Sequence, residues 1–297
     1  MKHLVISTDD ASLSLRDGTI VSGERKIAID ILASVQCFGR QTVWTQALLN
    51  TLAGQCPVVL ARWNSDAEKW QTCGVNAKAR HVNPTALQRL CRLPETASTH
   101  LSSLLLHTKI CNQLTLLHML NPEWPDRPPI QAGSLTRVLR LEAIYAKSFW
   151  AKFFTATGNS LLYREKRQPT KPINVALSYG YGFLYHAIEW TCLAHGLECS
   201  VGLIHKHRKN RPNLACDLIE PLRCAVELTV IRHLDEIDDR ARMASRFAEM
   251  METKFHYRNN NFRLRTIIRM MILSFINSLT SKENFHPFHL HARDACL

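Results

Sequence analysis

The apolar pattern of this chain changes period near His81, and that change restricts the folds open to it. Upstream, HLVIST, SLSLRD and TIVSG alternate apolar and polar residues, as strands with one buried face do. Asp17-Gly18 separates the last two and marks a tight hairpin turn. KIAIDI and ASVQCFG continue the alternation. QTVWTQALLNTLAG shifts to helical spacing, placing Val43, Ala47 and Leu48 on one face, with Gly54 as its stop. PVVLARW returns to a strand, and NSDAEKW reads as a further hairpin turn.

Downstream of His81 the pattern is helical almost throughout. STHLSSLLLHTKICNQLTLLHMLN forms one long helix, ended by the loop NPEWPDRPP. GSLTRVLRLEAIYAKSFWAKFFTAT forms a second with Ser134 as its N-cap, and PINVALSYGYGFLYHAIEWTCLAHG a third that closes on Gly196. CDLIEPLRCAVELTVIRHL, DDRARMASRFAEMMETKF and FRLRTIIRMMILSFINSL supply at least three more, while HPFHLHARDACL reads as a frayed tail. The expected fold class is α+β. A small N-terminal β-sheet domain with one short helix spans 1–82, a linker 83–97, and a larger all-α domain 98–297.

Charge narrows the function. Of 297 residues, 37 are Lys or Arg against 25 Asp or Glu, a net charge of +12 that favours a polyanionic partner, nucleic acid or an acidic membrane surface. The membrane is disfavoured. The most apolar C-terminal run, TIIRMMILSFINSL, contains Arg269 and falls short of the roughly 20 residues a span needs. Asp9 and Asp10 interrupt the N-terminus where a signal peptide needs an unbroken apolar stretch. The ten cysteines form no CxxC pair and several lie in apolar runs, so they read as reduced core residues of a cytoplasmic protein.

One segment gathers chemistry. Residues 202–223, GLIHKHRKNRPNLACDLIEPLR, combine His205, a block of cations, and Asp217 and Glu220 at i,i+3. Pro221 has no N–H for the carbonyl of Asp217, so the backbone there is expected to kink. The plain interpretation is a solvated basic loop leading into an ordinary helix. The sharper one is a metal site, since two carboxylates and an imidazole suit Mg²⁺ or Mn²⁺. Divalent ions on carboxylates activate oxygen nucleophiles against phosphodiesters. Arg208, Lys209 and Arg211 would then hold the DNA backbone. Lys254, Arg258, Arg263 and Arg265 form a second basic stretch suited to the same task. A further carboxylate is wanted. Glu142 stands in the apolar run VLRLEAIYAKSFW and either supplies it or serves as a partly exposed i,i+4 partner.

These segments resemble the CRISPR-associated protein one family, the integrases of CRISPR adaptation, along nearly the whole chain. GLIHKHRKNRPNLACDLIEPLR is similar to the family's Gly-x-x-His…Asp-Leu-x-Glu-Pro-x-Arg block, and NVALSYGYGFLYHAIEW to its Tyr-Gly-Tyr helix. Glu142 with Tyr145 to Trp150 matches a Glu-bearing helix, and IDILASVQCFGRQTVWTQALLNTLAGQCPVVLARW the strand–Gly–Thr–helix–strand module. Ser178 departs from the family's usual Asn, and REKRQPTKP is unusually basic. The resemblance implies a metal site of Glu142, His205 and Glu220 with Asp217 beside it, and a homodimer through the β domains. It also implies a small dimeric CRISPR-associated adaptation partner. The substrates would be double-stranded DNA, protospacer and CRISPR repeat, joined by 3′-hydroxyl transesterification. A branched-DNA repair nuclease and a non-catalytic DNA-binding assembly subunit are the alternatives.

Overall fold

The computed structural model describes residues 2–6, 11–37, 42–55, 58–64, 69–75, 83–124, 134–161, 163–165, 168–205, 212–281 and 283–296. The chain divides into two compact units, residues 1–81 with 239–248, and 82–238 with 249–297. The first unit contains two small sheets. In one, β1 (Lys2–Ile6), β5 (Leu32–Cys37) and β7 (Val58–Asn64) run parallel, and β8 (Lys69–Val75) closes the order β1-β5-β7-β8 antiparallel to β7. In the other, β2 (Ser12–Arg16), β3 (Thr19–Ser22) and β4 (Arg25–Ala28) form an antiparallel meander, with β6 (Val43–Trp44) parallel to β2. The β2–β3 turn is Asp17-Gly18, both left-handed with φ of 47° and 69°, as the two central residues of a type I′ hairpin require. The antiparallel register of Asn64 with Lys69 agrees with a hairpin at NSDAEKW, whose turn residues 65–68 lie outside the described set.

Two details differ from the sequence expectation here. Val43 lies in β6, 63% exposed and paired with Ser12, rather than on a helix face. The helix α1 (Gln46–Gln55) starts after Thr45, whose Oγ1 accepts from the Leu48 N–H, and it continues through Gly54. Leu48 and Leu52, at i,i+4, are buried among its described side chains and pack with Leu13, Ile20 and Val35 from the strands. β-branched Val43 and aromatic Trp44 suit the pleat, and that preference outweighs the helical spacing.

The second unit is built around α3 (Glu95–Leu120). Against it pack α4 (Leu135–Ala156), α6 (Asn213–Leu218), α7 (Arg223–Arg232) and a 3₁₀ turn at Glu220–Leu222. α5 (Pro172–Ala194) packs on α6, α7 and α9 (Leu264–Thr280). Ser134 caps α4 by accepting from the Arg137 N–H, as its position predicts. Gly196, at φ 73°, takes the left-handed position beyond α5. The backbone is kinked at Pro221, where the helix breaks into the 3₁₀ turn. Residues 83–97, expected as a linker, carry α2 (Pro84–Cys91), capped by Asn83, with Ala86 and Leu90 buried and packed toward α9. α8 (Arg240–Glu252) belongs for most of its length to the first unit, and the region expected to be all-helical also contains a hairpin, β9 (Lys254–Tyr257) and β10 (Asn260–Arg263). Among the described residues no helix is long and apolar enough to cross a membrane.

The C-terminal segment is packed, not frayed. Phe288 and Asp294 are fully buried. The Asn112 amide on α3 donates to the carbonyls of Pro221 (2.6 Å) and Phe288 (2.9 Å) and accepts from the Leu290 N–H (2.9 Å). One buried side chain thereby satisfies the kink and fastens the tail. The Asp294 carboxylate accepts from the backbone N–H groups of His256 and His291, which ties the tail to β9. Short polar runs hide such anchoring because their partners are distant in sequence.

Candidate active site

Asp217 organises the loop that carries His205. Its side chain is fully buried at the end of α6. Oδ2 accepts from the N–H groups of Leu203 (2.6 Å) and Ile204 (3.0 Å), and Oδ1 from the His205 N–H (3.1 Å). Oδ1 also lies 2.6 Å from His205 Nδ1. An ionised carboxylate only accepts, so Nδ1 carries a proton, and in the neutral ring Nε2 keeps its lone pair. This is how a carboxylate fixes the tautomer and orientation of a metal-binding histidine. Gly202 is needed for the wrap: a Cβ there would stand 2.8 Å from Asn213 Cβ and from the His205 carbonyl, and 2.9 Å from Asp217 Oδ2. Asn213 Nδ2 donates to the Ser200 carbonyl and closes the loop base. The Gly-x-x-His…Asp spacing is thus the spacing of one hydrogen-bonded turn.

Glu220 and Glu142 meet on a cation that the sequence reading passed over. Lys109, on α3, places Nζ 2.5 Å from Glu142 Oε1 and 2.8 Å from Glu220 Oε2. Arg223 grips Glu220 with a fork, Nε to Oε2 and Nη2 to Oε1, both 2.9 Å. Burial alone would raise the pKa of Glu220, but Arg223 and then Lys109 outweigh it and hold the carboxyl well below the usual range. Burial opposes the charge on Lys109 as well. Glu220, and less strongly Glu142, overcome that burial and the repulsion of Arg223, so its pKa is raised. Signals for both cations were present in the sequence. Arg223 ends the DLIEPLR block, and Lys109 is a lone charge in LLLHTKICNQLTLL, as Glu142 is in its own helix.

An aromatic ring lies against this cluster. Arg223 lies over the Tyr181 ring at 4.7 Å, and the Tyr181 hydroxyl donates to Glu227 Oε1 at 2.7 Å. Gln113 Nε2 donates to the same oxygen. Burial raises the pKa of Glu227 despite these donors and the nearby cations. Arg164, from the basic stretch before α5, lies over the rings of Trp150 and Tyr181. It donates to Ser178 Oγ (2.8 Å) and Asn174 Oδ1 (3.0 Å). Ser178, where the family usually has Asn, is thus a short acceptor that lets the guanidinium sit close to α5. Arg164 is therefore part of the bundle.

The sequence-derived residues fall into two sets. Glu142 and Glu220 share Lys109, and His205 pairs with Asp217. Among the described residues, no three His, Cys, Asp or Glu side chains enclose a common point. The structure therefore does not bring Glu142, His205 and Glu220 together as one set. The donor types nonetheless fit a hard divalent ion, because two carboxylates from separate elements already converge on one positive charge. Arg208, Lys209 and Arg211 lie outside the described residues. In the second basic stretch Lys254, Arg258 and Arg263 are exposed, and Arg263 and Arg265 both pair with Glu252 at 3.1 Å.

Known proteins match this chain in sequence and share its fold. A family model, CRISPR associated protein Cas1, matches residues 4–241. A CRISPR-associated endonuclease Cas1 of Neisseria meningitidis is 23% identical over 86% of this chain and 84% of its own length. One from Pyrobaculum aerophilum is 38% identical, but over 32% of this chain and 30% of that protein. A second from that organism, at 32% identity, is matched over 35% of its length, so these two alignments each span about a third of the relative. Among solved structures, a casposase bound to integration product superposes with a TM-score of 0.79 at 16% identity, covering 97% of this chain and 93% of that one. A chain of a Cas6-RT-Cas1–Cas2 complex gives 0.72 at 17% identity, covering 97% of this chain and 36% of that one. The family model spans the strands of the first unit, Glu142, the Asp217-wrapped loop and the kinked Glu220 turn alike, and the chain belongs to the CRISPR associated protein Cas1 family.

Proposed function

We propose that this chain is the metal-dependent integrase of a CRISPR adaptation complex, inserting protospacer DNA into the CRISPR array by 3′-hydroxyl transesterification. The observation that carries the reading is the convergence of Glu142 and Glu220 on one cation, in a chain whose His205 is oriented through Nδ1 by Asp217. Glu142, His205 and Glu220 would hold Mg²⁺ or Mn²⁺, which when bound supplies charge stabilisation at the reacting phosphate. The chain's own groups do the positioning. Asp217 and the backbone of 203–205 fix the imidazole, and Arg223 fixes the Glu220 carboxylate. Arg208, Lys209 and Arg211 follow His205 directly in sequence and would hold the DNA backbone without reading bases. In the reaction the protospacer 3′-hydroxyl gives up its proton as its oxygen forms a bond to phosphorus. The repeat strand's own 3′-oxygen leaves and takes up a proton. Hydrolytic cutting of branched DNA is the same displacement with water.

The net charge of +12 supports double-stranded DNA as the partner. We infer a homodimer that joins a small dimeric CRISPR-associated protein in the cytoplasm; the fold shared with a chain of a Cas6-RT-Cas1–Cas2 complex supports the partner. One observation favours a second reading. Lys109 neutralises the carboxylate pair, as it would in a non-catalytic assembly subunit whose acids only brace its helices. Strand transfer by Glu142→Ala and His205→Ala decides between them, because both side chains are partly exposed and their loss spares the core. Abolished transfer with an unchanged circular-dichroism spectrum is expected. Near-normal transfer by either variant rejects the metal-site reading.

A further inference from the structure

The Glu142–Lys109–Glu220 bridge assigns Lys109 a task of its own. The two carboxylates are already balanced by two cations, Lys109 and Arg223, so the cluster needs no further charge. A divalent ion entering between Glu142 and Glu220 would meet the Lys109 ammonium at 2.5 and 2.8 Å from the same oxygens, closer than two cations can share. One cation has to leave. Arg223 is fastened by a two-point fork to Glu220 and lies over the Tyr181 ring, whereas Lys109 ends a flexible four-carbon stem. Its side chain is 12% exposed and that of Glu142 21%, so the Glu142 side of the bridge is the more open to solvent.

We propose that Lys109 is a resident counter-cation of the Glu142/Glu220 pair that a divalent ion must displace, so that this lysine holds the two carboxylates together before loading and sets the metal affinity by competing with it. The proposal rests on the reading of Glu142 and Glu220 as metal ligands. In this scheme Lys109 is a positioning residue, acting on the reaction through the carboxylates it holds. The metal-free protein is thereby spared two carboxylates facing each other, one of them buried, an arrangement that otherwise costs stability. Lys109 has no counterpart in the donor chemistry of a metal, since an ammonium offers three donors and no lone pair.

The test measures Mn²⁺ binding by electron paramagnetic resonance, and melting in EDTA and in Mn²⁺, for the full-length wild type, Lys109→Met and Lys109→Arg. Lys109→Met should melt lower than wild type in EDTA, bind Mn²⁺ about 10–100-fold more tightly, and gain more in melting temperature from Mn²⁺. Lys109→Arg keeps the charge and should bind Mn²⁺ no more tightly than wild type. If Lys109→Met does not fold in EDTA, recovery of its folded spectrum on adding Mn²⁺ supports the proposal, and no recovery overturns it. Wild type and Lys109→Met binding Mn²⁺ equally well overturns the competition while leaving the ligand reading in place. Binding by neither overturns both.

Discussion

Changing Asp217 to Asn separates an orienting carboxylate from a merely buried one. In the native loop each oxygen takes two donors, Leu203 and Ile204 N–H on Oδ2, and His205 N–H and Nδ1–H on Oδ1. An amide can be placed in two ways. With its nitrogen toward Leu203 and Ile204, two backbone donors lose their acceptor. With its nitrogen toward His205, only the His205 N–H is orphaned, because the ring can change tautomer and accept at Nδ1. The second placement is cheaper. It leaves one unsatisfied donor at about 1–3 kcal/mol and weakens two charge-assisted hydrogen bonds, for a total of about 2–4 kcal/mol. It also moves the ring proton to Nε2, removing the lone pair a metal would use, as a neutral amide does to the histidine of a catalytic triad. Asp217→Asn should therefore unfold at lower urea, lose about 100-fold in strand transfer, and gain nothing from added Mn²⁺. Urea titration and ¹⁵N spectra of His205 measure both effects. Stability within about 0.5 kcal/mol of wild type, or a His205 ring that keeps its Nδ1 proton, refutes the reasoning.

Gly202→Ala adds a methyl 2.8 Å from a backbone carbonyl, and should cost about 1–3 kcal/mol and displace His205, read by urea unfolding. Asn112→Ala removes the three hydrogen bonds that hold Pro221 and the tail, so limited proteolysis should cut residues 283–296 first while they resist in wild type. Glu220 has a folded pKa held below its unfolded value of 4.5, so its contribution is complete above that value and is lost as pH falls below it. The acid limb of the stability curve should accordingly flatten in Glu220→Gln, measured by urea titrations across that range. Replacing Arg208, Lys209 and Arg211 with Ala should reduce the salt dependence of DNA binding equally for all sequences, measured by fluorescence anisotropy.

Period and punctuation made much of this architecture legible. The change of period at His81, the Asp17-Gly18 turn, the Ser134 cap and the Pro221 break all act within a few residues, and local rules read them correctly. What escaped depends on distant partners. Val43 joins a sheet because Ser12 is there to pair with it, and the tail is ordered because Asn112, far earlier in the chain, supplies its hydrogen bonds. At the site, the gathering of His205, Asp217 and Glu220 in one segment was legible, whereas the hydrogen bond between His205 and Asp217 was not. Asp217's backbone acceptor role was hidden because an acid at i,i+3 from another suggests a shared helix face, and the helix ends between them. Lys109 was missed because attention to metal chemistry selects acids and histidines, while the charge that balances Glu142 and Glu220 comes from a third helix.

The central claim is metal-dependent attack by a 3′-hydroxyl, and one measurement addresses it directly. Prespacer DNA with 3′-hydroxyl ends, and the same DNA with 3′-dideoxy ends, are incubated with the protein and a supercoiled repeat plasmid in Mn²⁺ or in EDTA, and insertion is resolved on a gel. The chemistry predicts relaxed, prespacer-joined plasmid only with the 3′-hydroxyl ends and only in Mn²⁺. Joined product from the dideoxy ends, or equal joining in EDTA, contradicts it.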